Sequence, residues 1–141
     1  MIGHLTDQVL THRDINATAA GTTVVNGAGF DTQGQGFDGV RGVACLGALT
    51  ATQTTALKLQ DSPDNAAWTD LPGSQTANMA DGDSNKMCIS DRIKTFNRYV
   101  RAVLVRGTAN AVIDSVVLEF YRIRKVPVVQ EAATVSVTIK T

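Results

Sequence analysis

The side chains that most often do chemistry in proteins are sparse in this sequence of 141 residues. Its only histidines, His4 and His12, lie in a polar N-terminal stretch that we expect to be an arm. A serine–histidine–carboxylate site needs a histidine that packing holds rigidly, so neither is a good candidate base. Asp114 and Glu119 are the only carboxylates inside strongly apolar, strand-like runs, and we expect Glu119 to pair with a surrounding arginine. The sequence therefore predicts no catalytic residues and a protein that is not an enzyme.

Two short motifs match ligand-binding patterns in part. Residues 34–39, GQGFDG, fit the G-x-G-x-x-G pattern, but the residues that follow read as a strand, whereas a pyrophosphate site needs a helix there. Residues 81–85, DGDSN, place oxygen side chains as a calcium loop does, yet Lys86 and Arg92 stand where such a loop needs glycine and glutamate. We therefore interpret both motifs as loops and expect no cofactor and no bound metal.

Cys45 and Cys88 are the only cysteines, and each lies inside an apolar run. The first residues lack the basic start and the apolar core of a secretory signal, so we expect free, buried thiols rather than a disulfide. Two cysteines without a nearby histidine are also too few for a structural zinc site. No apolar run is long enough to span a membrane, so we expect no membrane partner.

The charges balance over the whole chain but not along it. Thirteen basic and thirteen acidic residues give a net charge of zero, which argues against nucleic-acid binding, since that requires a basic excess. Residues 61–83 carry five aspartates and no base, whereas residues 92–125 carry eight basic and two acidic residues. This separation indicates either contact with a protein partner through complementary patches or pairing of the two regions within the chain. The basic residues that we expect at a protein interface are Arg98, Arg101, Arg122 and Arg124.

The pattern of apolar residues predicts an all-β fold. The most apolar stretch, residues 98–125, reads as two long strands joined by a turn at 107–110, and we expect this hairpin in the middle of a sheet. Residues 57–60 alternate up to a turn at 61–65, after which the chain returns with Trp68, which we expect on the core. Turn signals at short intervals, without helical periodicity between them, indicate an antiparallel two-sheet sandwich of jelly-roll type.

By composition, the chain divides into three parts. Residues 1–21 are small and polar and are predicted to form an arm that is ordered against a partner, and residues 22–125 are predicted to form the sandwich domain. Residues 126–141 are predicted to be a C-terminal strand or extension. Its apolar residues Val135, Val137 and Ile139 share one side, so the strand either completes the chain's own sheet or adds to a neighbouring subunit or capsid.

Three segments in order resemble a known family: residues 57–71 (LKLQDSPDNAAWTDL), residues 97–102 (NRYVRA) and residues 120–124 (FYRIR). Together they resemble the jelly-roll cement, or decoration, proteins of tailed-bacteriophage capsids. The resemblance covers roughly residues 40–125. The turn followed by tryptophan and the R-Y-V-R strand are also similar to discoidin-like, carbohydrate-binding jelly rolls.

The resemblance to cement proteins implies a non-enzymatic virion protein that binds the outside of an icosahedral capsid and cements neighbouring subunits of the major capsid protein. It also implies a homo-oligomer, a dimer or a trimer, on the capsid surface of a virion assembled in the host cytoplasm. The alternative is a carbohydrate-binding module on a virion or cell surface, for which the predicted loops offer Phe30 and Phe37 but no aromatic cluster. A small tail or neck component would share the same fold.

Overall fold

Ten β-strands and one short 3₁₀ turn make up the regular structure of the described chain. The computed structural model describes residues 4–32, 35–93, 95–124, 127–132 and 134. The 3₁₀ turn covers Leu5–Asp7, and the strands in chain order are β1 (Leu10–Ile15), β2 (Thr18–Gly21), β3 (Val25–Asn26), β4 (Phe30–Asp31), β5 (Phe37–Leu49), β6 (Thr54–Ser62), β7 (Thr69–Asp70), β8 (Met87–Ile93), β9 (Tyr99–Gly107) and β10 (Ala111–Ile123). Within the described ranges, no helix has the length and apolar character that crossing a membrane requires.

The strands form two antiparallel sheets packed face to face, so the predicted all-β sandwich is confirmed. The first sheet has the order β1-β10-β5-β8, with β2 also paired to β10, and the second has the order β3-β9-β6-β7, with β4 also paired to β9. β1 and β2 share β10 as their partner, and β3 and β4 share β9, so each pair acts as one interrupted strand. With these pairs merged, eight strands have the order 1-8-3-6 in one sheet and 2-7-4-5 in the other, as in a jelly roll.

The two strands of the most apolar stretch lie in different sheets, so the predicted hairpin over residues 98–125 is wrong. β9 pairs with β6 in the second sheet, whereas β10 lies between β1 and β5 in the first. The turn between them therefore carries the chain from one sheet to the other. Each strand directs one apolar side into the space between the sheets, where Leu104 of β9 and Leu118 of β10 are fully buried. The expectation that each strand is central in a sheet is correct.

The first sheet begins within residues 1–21, whose small and polar composition predicted an arm. Residues 10–21 form β1 and β2 instead of belonging to the arm that we predicted over residues 1–21. β1 pairs antiparallel with β10 along its length. The apolar side chains of Leu10 and Ile15 are almost completely buried, and their burial holds an otherwise polar segment against the sheet as an edge strand.

Phe120 of β10 lies within an aromatic cluster of the core. Its side chain is fully buried, and the rings of Phe30, Phe37 and Phe96 lie around it at centroid distances of 4.8, 5.5 and 6.3 Å. Phe30 belongs to the second sheet and Phe37 to the first. The aromatic cluster therefore joins the two layers, and aliphatic side chains of both sheets extend the same core.

Trp68 lies outside this core, and its predicted position against the core is wrong. The predicted hairpin is present, because β7 pairs antiparallel with the end of β6. The indole, however, is only partly buried, and the guanidinium of Arg101 lies 4.3 Å from its ring centroid. Leu57 and Leu59 of β6 already fill the inner side of the sheet. The returning chain therefore places Trp68 on the outer side, where it packs against a strand of its own sheet.

A buried carboxylate ties the two sheets together at one edge. Asp14 belongs to β1, and its side chain is completely inaccessible to solvent. Its Oδ2 accepts a hydrogen bond from the amide of Ala102 in β9 (2.6 Å), and its Oδ1 accepts one from the amide of Gly29 (3.2 Å). At Gly27, a Cβ would lie 1.7 Å from Oδ2. These donors are required, because a buried carboxylate without partners is strongly destabilising.

We expect Gly27→Ala to destabilise the fold by about 2–4 kcal/mol, because the new methyl group displaces the Asp14 carboxylate and leaves buried amides without an acceptor. Chemical denaturation of the variant and the parent protein measures the difference. Gly82→Ala is the matched control, since a Cβ there meets no atom within 4 Å, and it should change the free energy of unfolding by less than about 0.5 kcal/mol. Equal stability of the two variants would contradict the role given to Asp14.

Candidate protein-interaction surface

Two of the arginines predicted at an interface are paired within the chain. Arg98 donates from Nε and Nη2 to the two carboxylate oxygens of Asp31, at 2.9 and 2.8 Å. Arg124 donates to Asp38 at 2.6 Å. The hydrogen bonds and charges of these partners raise the pKa of both arginines. Both acidic partners lie outside residues 61–83, so these ion pairs are not the ones that the charge pattern suggested.

The other two predicted arginines lie on different sheets. Arg101 of β9 contacts Trp68 and donates from Nε to Oε1 of Gln60 (2.9 Å). Arg122 of β10 is exposed near the end of the first sheet. The four arginines therefore do not form one patch, and their role at an interface stays a prediction. Three further predicted interface residues lie outside the described residues: Val135, Val137 and Ile139.

An exposed apolar strip runs along β8. Its members Met87, Ile89 and Ile93 point outward and are 61, 50 and 59% exposed, and Asp91 lies on the same side between the two isoleucines. The inward side of the same strand carries Cys88 and Ser90, which are buried. β8 therefore turns its more apolar side to solvent. It is also the last strand of the first sheet, so one backbone edge pairs with no described strand.

A groove with a volume of about 990 Å³ lies on the outer face of the first sheet, beside the apolar strip. Leu5 and Val9 line it from the segment before β1, Ile93 from β8, and Ile123 from β10. A second groove of about 280 Å³ is also lined by Leu5 and Val9 and has Thr134 at its wall. The two grooves together extend from the C-terminal part of the described chain to β8.

Four polar side chains that line the groove are paired with one another. Arg41 of β5 lies opposite Glu119 of β10 and donates to its Oε2 from Nη2 (2.6 Å) and Nε (3.0 Å), which confirms the expected arginine pairing of Glu119. The hydroxyl of Tyr121 donates to Asp91, and its ring crosses Gly39, where a Cβ would lie 2.5 Å from the ring. Burial and the contact with Asp91 raise the pKa of Tyr121 to about 12. Apolar side chains and the exposed guanidinium of Arg122 are therefore the contacts that the groove offers a partner.

The C-terminal segment, residues 127–132 and 134, lies along the open edge of β1. The amide of Val128 donates to the carbonyl of Asp7 (2.9 Å). The side chain of Gln130 donates to the carbonyl of Val9 (2.6 Å) and accepts a hydrogen bond from the amide of Thr11 (3.2 Å). Gln130 thus takes the place of a neighbouring strand at Thr11. Nothing in the sequence pattern predicts this contact, because a single glutamine gives no periodic signal.

His12 fastens the C-terminal segment to β1. Its Nδ1 lies 2.7 Å from Oε2 of Glu131, its Nε2 lies 3.3 Å from Oδ1 of Asp14, and its ring centroid lies 5.0 Å from that of Phe30. Burial lowers the pKa of His12, but the hydrogen bonds and charges of the two carboxylates outweigh burial, so its pKa is raised. The expectation that His12 lies in an N-terminal arm is wrong, because it belongs to β1. Both ring nitrogens nevertheless face carboxylates of the chain itself.

The two ligand-like motifs belong to loops and strands. Residues 37–39 of the glycine motif already form the start of β5, so a strand follows instead of a helix. In the second motif, Asp81 accepts a hydrogen bond from the amide of Thr52 (2.9 Å), and Asp83 pairs with Lys86 (2.7 Å). Among the described residues, no group of three or more histidine, cysteine, aspartate or glutamate side chains is placed to hold a metal ion.

The two cysteines are free thiols, as predicted, but their surroundings differ. Cys88 lies on the inner side of β8, and burial together with the neighbouring Cys45 raises the pKa of its thiol to about 11. Cys45 lies on β5 and is only half-buried. Because the thiolate is the reactive form, the two residues should differ in reactivity.

We therefore expect a thiol reagent at neutral pH to modify Cys45 of the folded protein at least about 100-fold faster than Cys88. Mass spectrometry of the peptides after timed labelling measures both rates in one sample. The same labelling in denaturant is the control and should give similar rates for the two cysteines. Equal rates in the folded protein would contradict the burial of Cys88.

The attachment of the C-terminal segment should depend on pH. Because the pKa of His12 is raised in the folded state, its contact with Glu131 contributes fully below the ordinary value of 6.5 and is lost as the pH rises through the folded-state value. Amide exchange at Val128 and Gln130 should accelerate over that range, relative to exchange in the core. Glu131→Gln should lower the pKa of His12 in an NMR titration. Asp70→Asn, which affects an ion pair with Lys58 instead, should leave it unchanged.

No family model matches the chain, and no curated protein matches it. Among solved structures, the chain is similar to the crystal structure of the PBSX exported protein XepA, with a TM-score of 0.56 and 20% sequence identity. The match covers 99% of this chain and 46% of that one, so the chain spans about half the length of the structure it matches. PBSX is a phage-like element. This chain therefore shares a β-sandwich fold with a protein of a phage-like element.

Proposed function

We propose that this chain is a non-enzymatic structural protein of a virion, which binds the outside of an icosahedral capsid and cements neighbouring subunits of the major capsid protein. The observation that carries the proposal is the inverted polarity of β8, where Met87, Ile89 and Ile93 face solvent. Exposed apolar side chains on an open edge strand are an aggregation hazard unless a partner covers them. A permanent protein partner removes that hazard.

β8 offers a capsid subunit both side chains and backbone. The strand is seven residues long, and its outer edge, which pairs with no strand among the described residues, could accept a further strand from a partner. Such an addition forms main-chain hydrogen bonds, while the apolar strip supplies contacts that select the partner. On a shell, the same contact repeats at every site, and bridging two capsid subunits adds avidity to each modest contact.

The charges of the surface favour a protein partner over nucleic acid. The chain has no net charge, and the exposed arginines Arg98 and Arg124 are already neutralised by Asp31 and Asp38. Binding to a phosphate backbone gains free energy when cationic side chains displace counterions from the phosphates. Arginines that are already paired with carboxylates contribute little to that free energy. An apolar, internally neutral face suits contact with a folded protein instead.

The structural neighbour supports a phage setting for this function. XepA is named as a protein of PBSX, a phage-like element, and its structure resembles this chain over almost the whole chain. The segments that resemble cement proteins fall on β6, β7, β9 and β10, which are strands of the same sandwich. On this basis, the proposed location is the capsid surface, reached during assembly in the host cytoplasm, and the proposed state is a homo-oligomer, a dimer or a trimer.

Ile89→Asp should weaken binding to capsids at least about tenfold, because it places a charge where binding buries an apolar side chain. Co-sedimentation of the purified protein with capsids, assembled from the major capsid protein of the same genome, measures the binding. Val24→Asp is the matched control, since Val24 is also 50% exposed but lies before β3 of the second sheet. It should bind as the parent protein does.

The parent protein is also tested on a glycan array. Glycan binding without capsid binding would replace the proposal by the alternative, a carbohydrate-binding module. Trp68 is the aromatic side chain to test in that case, although Arg101 already covers one face of its indole. Equal binding of Ile89→Asp and Val24→Asp to capsids would show that the contact lies elsewhere than β8.

A further inference from the structure

We propose that the groove on the outer face of the first sheet binds a short extended segment of the capsid subunit, in which one acidic side chain lies among apolar ones. Arg122 receives the carboxylate of that acidic side chain. The inference rests on the proposed function, because it takes the capsid subunit as the partner, and it adds a second contact beside β8. It is carried by the contacts and the backbone of Arg122 and by the lining of the groove.

Arg122 differs from the other three arginines that the sequence predicted at an interface. Those three contact side chains of their own chain, two of them in ion pairs with aspartates and the third against Trp68. Arg122 is exposed and lines the groove, and within the described ranges it forms no hydrogen bond or ion pair. A guanidinium presents its N–H donors in a planar fork that matches a carboxylate. An acidic side chain of a partner is therefore the ligand that Arg122 suits.

The backbone of Arg122 directs its side chain to the groove. In a regular strand, Arg122 would share a side with Phe120, which is fully buried in the core. Its φ is instead 53°, in the left-handed region that residues other than glycine seldom adopt. Tyr121 and Ile123 keep their pairing with β5 on either side of it. The strand thus holds an unfavourable conformation at the residue whose charge faces the groove, and such conformations are typical of binding sites.

The carboxylate of Asp91 limits the partner to one acidic side chain at the Arg122 end. Asp91 lines the groove from β8 and accepts a hydrogen bond from the hydroxyl of Tyr121. Because the pKa of Tyr121 is about 12, the phenol is neutral at physiological pH and leaves the negative charge of Asp91 in place. That charge repels a second carboxylate near β8. A run of acidic residues therefore does not suit the groove.

The lining of the groove suits a peptide better than an alkyl chain. Apolar side chains line its two ends, with Ile93 on β8 and with Leu5 and Val9 before β1. Between these ends lies the ion pair of Arg41 with Glu119. An alkyl chain would remove water from these charged groups without replacing its hydrogen bonds. A peptide backbone brings its own donors and acceptors, and its alternate side chains reach the apolar ends.

The groove has room for about four or five extended residues. Its lining runs from β8 to the segment before β1, which corresponds to three strand spacings, or about 14 Å. An extended chain rises about 3.3 Å per residue. Ile93 also belongs to the apolar strip, so a subunit that binds β8 lies next to the groove. One subunit therefore supplies both contacts.

A peptide scan of the capsid protein tests the inference on the full chain. Overlapping peptides, which cover the major capsid protein of the same genome, are labelled with a fluorophore, and anisotropy measures their binding. We expect peptides with one acidic side chain among apolar ones to bind. Arg122→Asn should weaken their binding at least about tenfold, because it removes the guanidinium, while asparagine tolerates the left-handed backbone. Arg124→Asn is the matched control, since Arg124 is also exposed but pairs with Asp38 and does not line the groove.

Two variants of β8 locate the bound peptide. Ile93→Asp should weaken peptide binding at least about fivefold, because it places a charge at an apolar end of the groove. Met87→Asp is the matched control, since Met87 is 61% exposed on the same side of the same strand but does not line the groove.

Three results would overturn the inference: no peptide of the capsid protein binds, dodecanoate binds in place of the peptides, or Arg122→Asn and Arg124→Asn bind the peptides equally. Peptide binding that depends on Arg122 supports the inference even where whole capsids do not co-sediment with the protein. That failure of co-sedimentation would then count against the proposed function alone.

Discussion

The carboxylate of Asp14 is the group on which both the closure of the sandwich and the placement of the C-terminal segment depend. It lies fully buried in β1 and accepts the amide of Ala102 from the opposite sheet. It also faces His12, whose other nitrogen contacts Glu131. These contacts are arranged in series, so the loss of one member leaves the next without its partner. Polar contacts hold this edge of the molecule at β1, whereas contacts between apolar rings hold the aromatic core.

The two edges of the first sheet are consequently unlike each other. At β1, Gln130 and Thr134 occupy the backbone groups of Thr11, so the chain closes its own edge. At β8, the backbone edge pairs with no described strand, and the outward side chains are apolar. A sheet with one closed edge and one open edge accepts a single partner strand without inviting endless edge-to-edge association.

The sequence predicted the layers of the fold better than the surface that they present. Alternation of apolar residues predicts which side chains share a face, and this was enough for the all-β sandwich and for the hairpin of β6 and β7. It does not predict which face is inside or which strand is the neighbour. Trp68 therefore points outward against expectation, and β9 and β10 lie in separate sheets.

The sequence pattern did not predict the exposed strip on β8 either, since Met87 and Ile89 look like core residues in the sequence. The contact between His12 and Glu131 joins residues 119 positions apart, and no local pattern signals it.

Asp7 and Val128, which lie near the two ends of the described chain, are side by side, as the hydrogen bond between their backbones shows. A linker that joined the chain near Asp7 to the chain near Val128 would leave every described strand in place, while an exposed turn such as residues 63–67 provides a site at which the chain can be opened instead. The sandwich is therefore suited to circular permutation. It is equally suited to tandem duplication, because a second sandwich attached beside Asp7 and Val128 would leave the described strands of both units in place.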